Sequence, residues 1–129
     1  MKEYRVAATN TSPEIVFDPG GIFRISGRSI HENMSAFYKP AEDWLDEYIN
    51  DPADITCLEI NLEYFNSASS KLLVRLMQKI SGVELRKKKF IVNWYYEDGD
   101  EDILERGEYF SSVLKKPFNF IKSSGSWHG

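Results

Sequence analysis

Two short β-prone runs, Ile15-Val16-Phe17 and Ile22-Phe23-Arg24-Ile25, flank Asp18-Pro19-Gly20-Gly21. Pro presets one turn dihedral and Gly accepts a positive φ, so the pattern predicts a hairpin. Gly27-Arg28-Ser29 then breaks the second strand. From Glu32 to Ile49 the apolar positions Met34, Phe37, Tyr38, Ala41, Trp44, Leu45, Tyr48 and Ile49 recur at three- and four-residue spacing, which predicts an amphipathic helix. Pro40 lacks an amide donor and is expected to kink or restart it. Thr56–Phe65 alternates Leu58, Ile60, Leu62 and Tyr64 against Glu59, Asn61 and Glu63, the signature of a strand with one dry face. The spacing becomes helical again over Ser69–Ile80, through Leu72, Leu73, Leu76, Met77 and Ile80. Phe90–Tyr96 is a further strand, with Trp94 and Tyr96 on one face and Tyr95 on the other. A last helix over Asp100–Leu114, an edge strand over Pro117–Ile121 and a loose tail from Ser123 to Gly129 complete the chain. The order β-β-α-β-α-β-α-β predicts an α/β (α+β) fold: a mixed sheet of about five strands with three helices packed mainly on one face.

Composition narrows the classes of function. With 129 residues, 42% of them hydrophobic, the chain matches one ordinary domain, 1–129, with apolar side chain enough for a core. Cys57 is the only cysteine, so no internal disulfide is expected, which fits a reducing compartment. Neither a signal sequence nor a run approaching the roughly 20 apolar residues of a bilayer span is visible. A cytoplasmic location and no membrane partner are expected. The net charge of −4 argues against general binding to nucleic acid. The basic run Arg86-Lys87-Lys88-Lys89 is read as a solvated loop or strand edge.

Candidate chemistry is sparse. Glu97-Asp98-Gly99-Asp100-Glu101-Asp102 suggests calcium, but an EF-hand counted from Asp98 needs Gly and Glu where Ile103 and Tyr109 stand. A turn leading into a helix, its acids matched to the positive end of the helix dipole, accounts for the segment. His31 and His128 have no companions at metal-ligand spacing, and Cys57 has no neighbouring base. No catalytic set assembles, and no metal or cofactor is expected. The informative segment is Asn66-Ser67-Ala68-Ser69-Ser70-Lys71, where a strand gives way to a helix. A Ser there acts as an N-cap, worth about 1 kcal/mol. It can also be a phosphoacceptor, because the free amides and dipole of the first turn favour a phosphate. Residue types alone favour the cap, with the phosphoacceptor as the minority reading.

Motifs spread along the chain carry a resemblance. Ser12-Pro13-Glu14-Ile15-Val16-Phe17-Asp18, Ile25-Ser26-Gly27-Arg28-Ser29-Ile30-His31-Glu32-Asn33, Phe37-Tyr38-Lys39-Pro40 with Trp44-Leu45, Leu62 to Lys71, Trp94-Tyr95-Tyr96-Glu97-Asp98, Glu101-Asp102-Ile103-Leu104-Glu105 and Pro117-Phe118 together resemble the SiaC family of regulatory phosphoproteins. The resemblance runs in order from Ser12 to Phe120. It implies a STAS-like fold, similar to anti-sigma-factor antagonists, and a non-catalytic protein acting as a phospho-switch. It also implies three protein partners: a Ser/Thr kinase, a PP2C-type phosphatase, and an effector such as a diguanylate cyclase, bound by the unphosphorylated form. The free protein is expected to be a monomer. By position the phosphoacceptor is Ser67, with Ser69 and Ser70 behind it, and Asn66, Ser67, Ser69, Ser70 and Lys71 form the partner-binding segment. The family pattern has Thr followed by a second hydroxyl residue, where this chain has Ser67 and Ala68.

Two other readings stay in view. A small metal- or nucleotide-binding domain or enzyme would use the acidic turn together with the serines. An adaptor is the other, either of the anti-sigma type or purely structural, with its serines only helix caps.

Overall fold

A computed structural model describes residues 1–123. Six strands form one sheet in chain order: β1 (Tyr4–Val6), β2 (Glu14–Phe17), β3 (Ile22–Ser29), β4 (Ile55–Phe65), β5 (Lys89–Glu97) and β6 (Asn119–Ser123). The first three pair antiparallel, and β3 to β6 run parallel. Helix α1 (Met34–Tyr48) crosses from β3 to β4, α2 (Ser67–Ile80) from β4 to β5, and α3 (Glu101–Leu114) from β5 to β6. All three crossovers step the same way across the sheet, and with the usual handedness they bring the helices to one face.

Register explains why that face is dry. Tyr4, Phe17, Phe23, Leu58 and Val92 form one cross-strand row, and Val6, Ile15, Ile25, Ile60, Trp94 and Phe120 form another. Alternation sends Val16, Arg24, Glu59 and Asn93 to the opposite, half-exposed face. Two aromatic clusters fill the helical side. Phe17 and Phe23 pack against Trp44 and Tyr48 of α1, which stack on each other at 5.2 Å. Phe65, Trp94 and Phe118 cluster with Phe110 of α3, Trp94 and Phe110 lying edge to face at 5.3 Å.

The expected α/β (α+β) class, the mixed sheet and the three helices are all present. The sheet has six strands rather than about five, because β1 adds an edge beside β2. Gly27 does not end the second strand. At φ +115° it sits at a register shift beside Arg28, and β3 continues to Ser29. Pro40 lies on the exposed side of one uninterrupted α1, so the missing amide bond is tolerated without a restart. The basic run ends a 3-10 turn (Ser81–Arg86), Lys87 is left-handed, and Lys88 pairs with Asp54 at 2.8 Å. Ser123, expected in the tail, closes β6; the rest of the expected tail, 124–129, lies outside the described residues. Among the described residues no helix is long and apolar enough to cross a membrane.

Helix α3 approaches the sheet through Gly107. A Cβ there would lie 2.5 Å from Trp94 Nε1, the same atom that donates to the Ile103 carbonyl at 3.0 Å. Gly107→Ala therefore trades a helix-propensity gain of about 1 kcal/mol against a larger overpacking penalty. A net loss of roughly 1–2 kcal/mol is expected, read as a lower urea midpoint.

Candidate functional site

The strand-to-helix junction after Phe65 is built by polar side chains with distinct roles. Asn66 is the N-cap of α2: its side-chain oxygen accepts from the Ser69 amide at 2.9 Å. Its own amide donates to the Ser29 carbonyl at the end of β3, 3.2 Å away. Ser69 is fully buried, and its hydroxyl donates to that same Ser29 carbonyl at 2.6 Å. The Ser29 hydroxyl in turn donates to Ser69 Oγ at 2.8 Å. With its single proton so used, Ser29 Oγ receives the Tyr38 hydroxyl, also at 2.8 Å. The chain Tyr38, Ser29, Ser69 thus ties α1, β3 and α2 in a place closed to water. Burial pushes the Tyr38 phenol far above its usual range, the bond to Ser29 opposing only in part, so it stays a neutral donor.

Ser67 is the first residue of α2 and is exposed, as is Ala68 beside it. Ser70 is half-buried and Lys71 exposed. Both border a shallow groove of about 230 Å³ between α2 and α3, with Val74, Tyr109 and Val113 as its apolar lining. Of the segment Asn66 to Lys71, then, Ser67, Ala68 and Lys71 are exposed and Ser70 is half-buried, while Ser69 faces the core. The cap expected of a serine is supplied by Asn66.

Two arginines flank the junction. Arg28 at the end of β3 pairs with Glu63 at 2.8 Å. Arg106 of α3 donates to the Phe65 carbonyl, and its guanidinium lies 4.5 Å over the Phe65 ring and 5.4 Å over the Tyr64 ring. Its Nε is 3.3 Å from Asp102 Oδ2. The acidic turn serves its own helix, since Asp100 caps α3 by accepting from the Ile103 amide at 3.1 Å. Glu97 and Asp100 join Arg28 and Glu63 around a broader groove of about 760 Å³ at the carboxyl ends of the central strands. Among the described residues, no group of three or more His, Cys, Asp or Glu side chains is placed to hold a metal ion. Ser29, Tyr38, Tyr109 and Arg106 are the junction residues that sequence reasoning missed. Ser29 and Tyr38 stand inside motifs that carry the family resemblance, but only tertiary contact reveals their shared hydroxyl chain.

The separation of roles has an energetic signature. Ser69→Ala removes a buried donor from Ser29 and leaves the Ser29 hydroxyl without its acceptor, so a loss of about 1–3 kcal/mol is expected in denaturant unfolding. Ser67→Ala, at an exposed first-turn position, is expected to stay within about 0.5 kcal/mol of the parent.

Comparison with known proteins places this geometry in a lineage. The chain is 23% identical over 119 residues to an uncharacterized protein of Pseudomonas aeruginosa (strain UCBPP-PA14), covering 92% of this chain and 94% of that one. Its fold superposes on the apo form of SiaC from Pseudomonas aeruginosa with a TM-score of 0.81, at 21% identity and with 96% of this chain and 100% of that chain covered. On SiaC in its complex with the diguanylate cyclase SiaD, which it activates, the TM-score is 0.84 at 21% identity, with 93% and 99% covered. The model of the SiaC family of regulatory phosphoproteins matches residues 6–123, and the chain belongs to that family.

Proposed function

We propose that this regulatory phosphoprotein is a non-catalytic, cytoplasmic switch whose state is written on Ser67. A partner kinase transfers the terminal phosphoryl group of ATP to Ser67 Oγ as the hydroxyl proton leaves, releasing ADP. A PP2C-type phosphatase returns the serine by hydrolysing the monoester. The unphosphorylated form binds and activates an effector, a diguanylate cyclase, and so acts in cyclic di-GMP signalling.

The single observation that carries the choice of Ser67 is its exposure beside a fully buried Ser69. A kinase must reach the oxygen it modifies. The Ser69 hydroxyl is closed off and engaged with Ser29, and Ser70 is half-buried at the groove edge. The likeness to SiaC bound to SiaD supports a diguanylate cyclase as effector. Exposed Ser67 and Lys71, together with the groove lined by Val74, Tyr109 and Val113, offer a contact surface where a neutral hydroxyl and a phosphate differ by nearly two charges.

Protein isolated from its native cell is expected to carry one phosphate, mapped by mass spectrometry to Ser67 and absent in Ser67→Ala. In binding assays with the diguanylate cyclase of the same cell, Ser67→Asp is expected to bind at least about tenfold more weakly than Ser67→Ala, a difference of about 1.4 kcal/mol. Equal affinity of the two variants would sink the switch.

A further inference from the structure

Arg106 is held in place before any ligand arrives. Its guanidinium is laid across the buried Phe65 ring and the exposed Tyr64 ring, and one nitrogen donates to the Phe65 carbonyl. The planar fork carries five N–H donors. The Phe65 carbonyl takes one of them, and Asp102 is an ion-pair partner at 3.3 Å from Nε. Asp102 is a weak counterpart, with 64% of its side chain exposed against 28% for Arg106. Holding α3 against the junction would need only a neutral donor. What the arginine adds is a partly desolvated charge with donors to spare. The carbonyl it grips precedes the N-cap, and Ser67 follows two residues later, its Cα within about 7.6 Å of that of Phe65.

We infer that Arg106 is the receptor for a phosphoryl group on Ser67, an inference that rests on reading Ser67 as the phosphoacceptor. The ligand is a phosphomonoester dianion carried by the same chain. The guanidinium fork exchanges its loose contact with Asp102 for two phosphate oxygens, a geometry that planar, bidentate donors suit and an ammonium does not.

The other charged groups around the junction are Lys71 on α2, Arg28 and Glu63 at the ends of β3 and β4, Glu97 at the end of β5, and Asp100 and Asp102 at the start of α3. Arg28 is committed to Glu63 at 2.8 Å. Lys71 is an exposed point charge one helical turn beyond Ser67. Glu63 and Asp102 repel a phosphate, which makes a strong local cation more necessary.

The test uses the full chain with phosphoserine installed at position 67 during translation, followed by phosphorus NMR across a pH titration. A neighbouring guanidinium favours the dianion, so the second phosphate ionisation is expected about one pH unit below its ordinary value near 6. Arg106→Gln is expected to return it to within a few tenths of that value, and Arg28→Gln to leave it depressed. An unchanged titration in Arg106→Gln, or a shift removed entirely by Lys71→Gln, overturns the assignment. Should Arg106→Gln fail to fold, Arg106→Lys decides. That variant keeps the charge but loses the fork, and a rise of at least about 0.3 unit is expected. No rise overturns the proposal. No kinase is involved, so failure to find phosphate on Ser67 in cells would defeat the proposed switch while leaving this result readable.

Discussion

The hydrogen bond from the buried Ser69 hydroxyl to the Ser29 carbonyl sets the geometry on which the junction depends. Ser29 ends β3, and its carbonyl also receives the Asn66 amide, so two donors from the start of α2 converge on one acceptor. That convergence fixes both where the helix begins and how it is rotated. Successive helical residues are about 100° apart. With Ser69 turned into the core, Ser67 lies about 200° away and must face solvent. Ser70, about 100° from Ser69 in the other direction, falls at the rim. The exposure of one serine and the burial of another two residues on are one rotational constraint seen twice.

How much of this is legible in the chain depends on the range of the forces involved. Alternation in β4 and the three- and four-residue spacing of α2 are local, and both elements stand where the pattern puts them, except at Tyr64. The register shift passes over Glu63, so Tyr64, expected on the dry face, is exposed and Phe65 is buried instead. β1 is invisible because Tyr4-Arg5-Val6 is too short to show alternation and is a strand only through pairing with β2. Gly27 reads as a strand end, since local sequence cannot separate an end from a bulge that lets the strand continue. Asn, Ser and Ser within four residues all suit a helix start. Which one caps is settled by a carbonyl from Ser29, far away in sequence. Arg106 carries no local signal of its role, because its partners Phe65 and Tyr64 belong to a distant strand.

Charge at the junction is balanced pair by pair. Glu63 faces Arg28, Asp102 faces Arg106, and Asp100 commits its carboxylate to the first turn of α3. Exposed pairs of this kind contribute little to stability, typically up to about 1 kcal/mol. Their weakness matters more than their strength. Because Asp102 is the looser of the two acids, at 3.3 Å against 2.8 Å for Glu63, a new dianion nearby would compete for Arg106 at small cost and within reach of side-chain rearrangement.

That arrangement also explains why the exposed first-turn position suits a reversible charge better than the cap does. A modified cap would have to surrender its bond to the helix amide, and a modified Ser69 would have to leave the core and break the chain to Ser29 and Tyr38. Either change would pit the signal against the fold. At Ser67 neither bond is touched: Asn66 keeps the Ser69 amide, and Ser69 keeps the Ser29 carbonyl. A charge added there alters the field over the α2 surface while the sheet and the helix start stay as they are. Stability is carried by the two side chains that face inward and toward the amides, and Ser67 is left with a hydroxyl that the fold does not need.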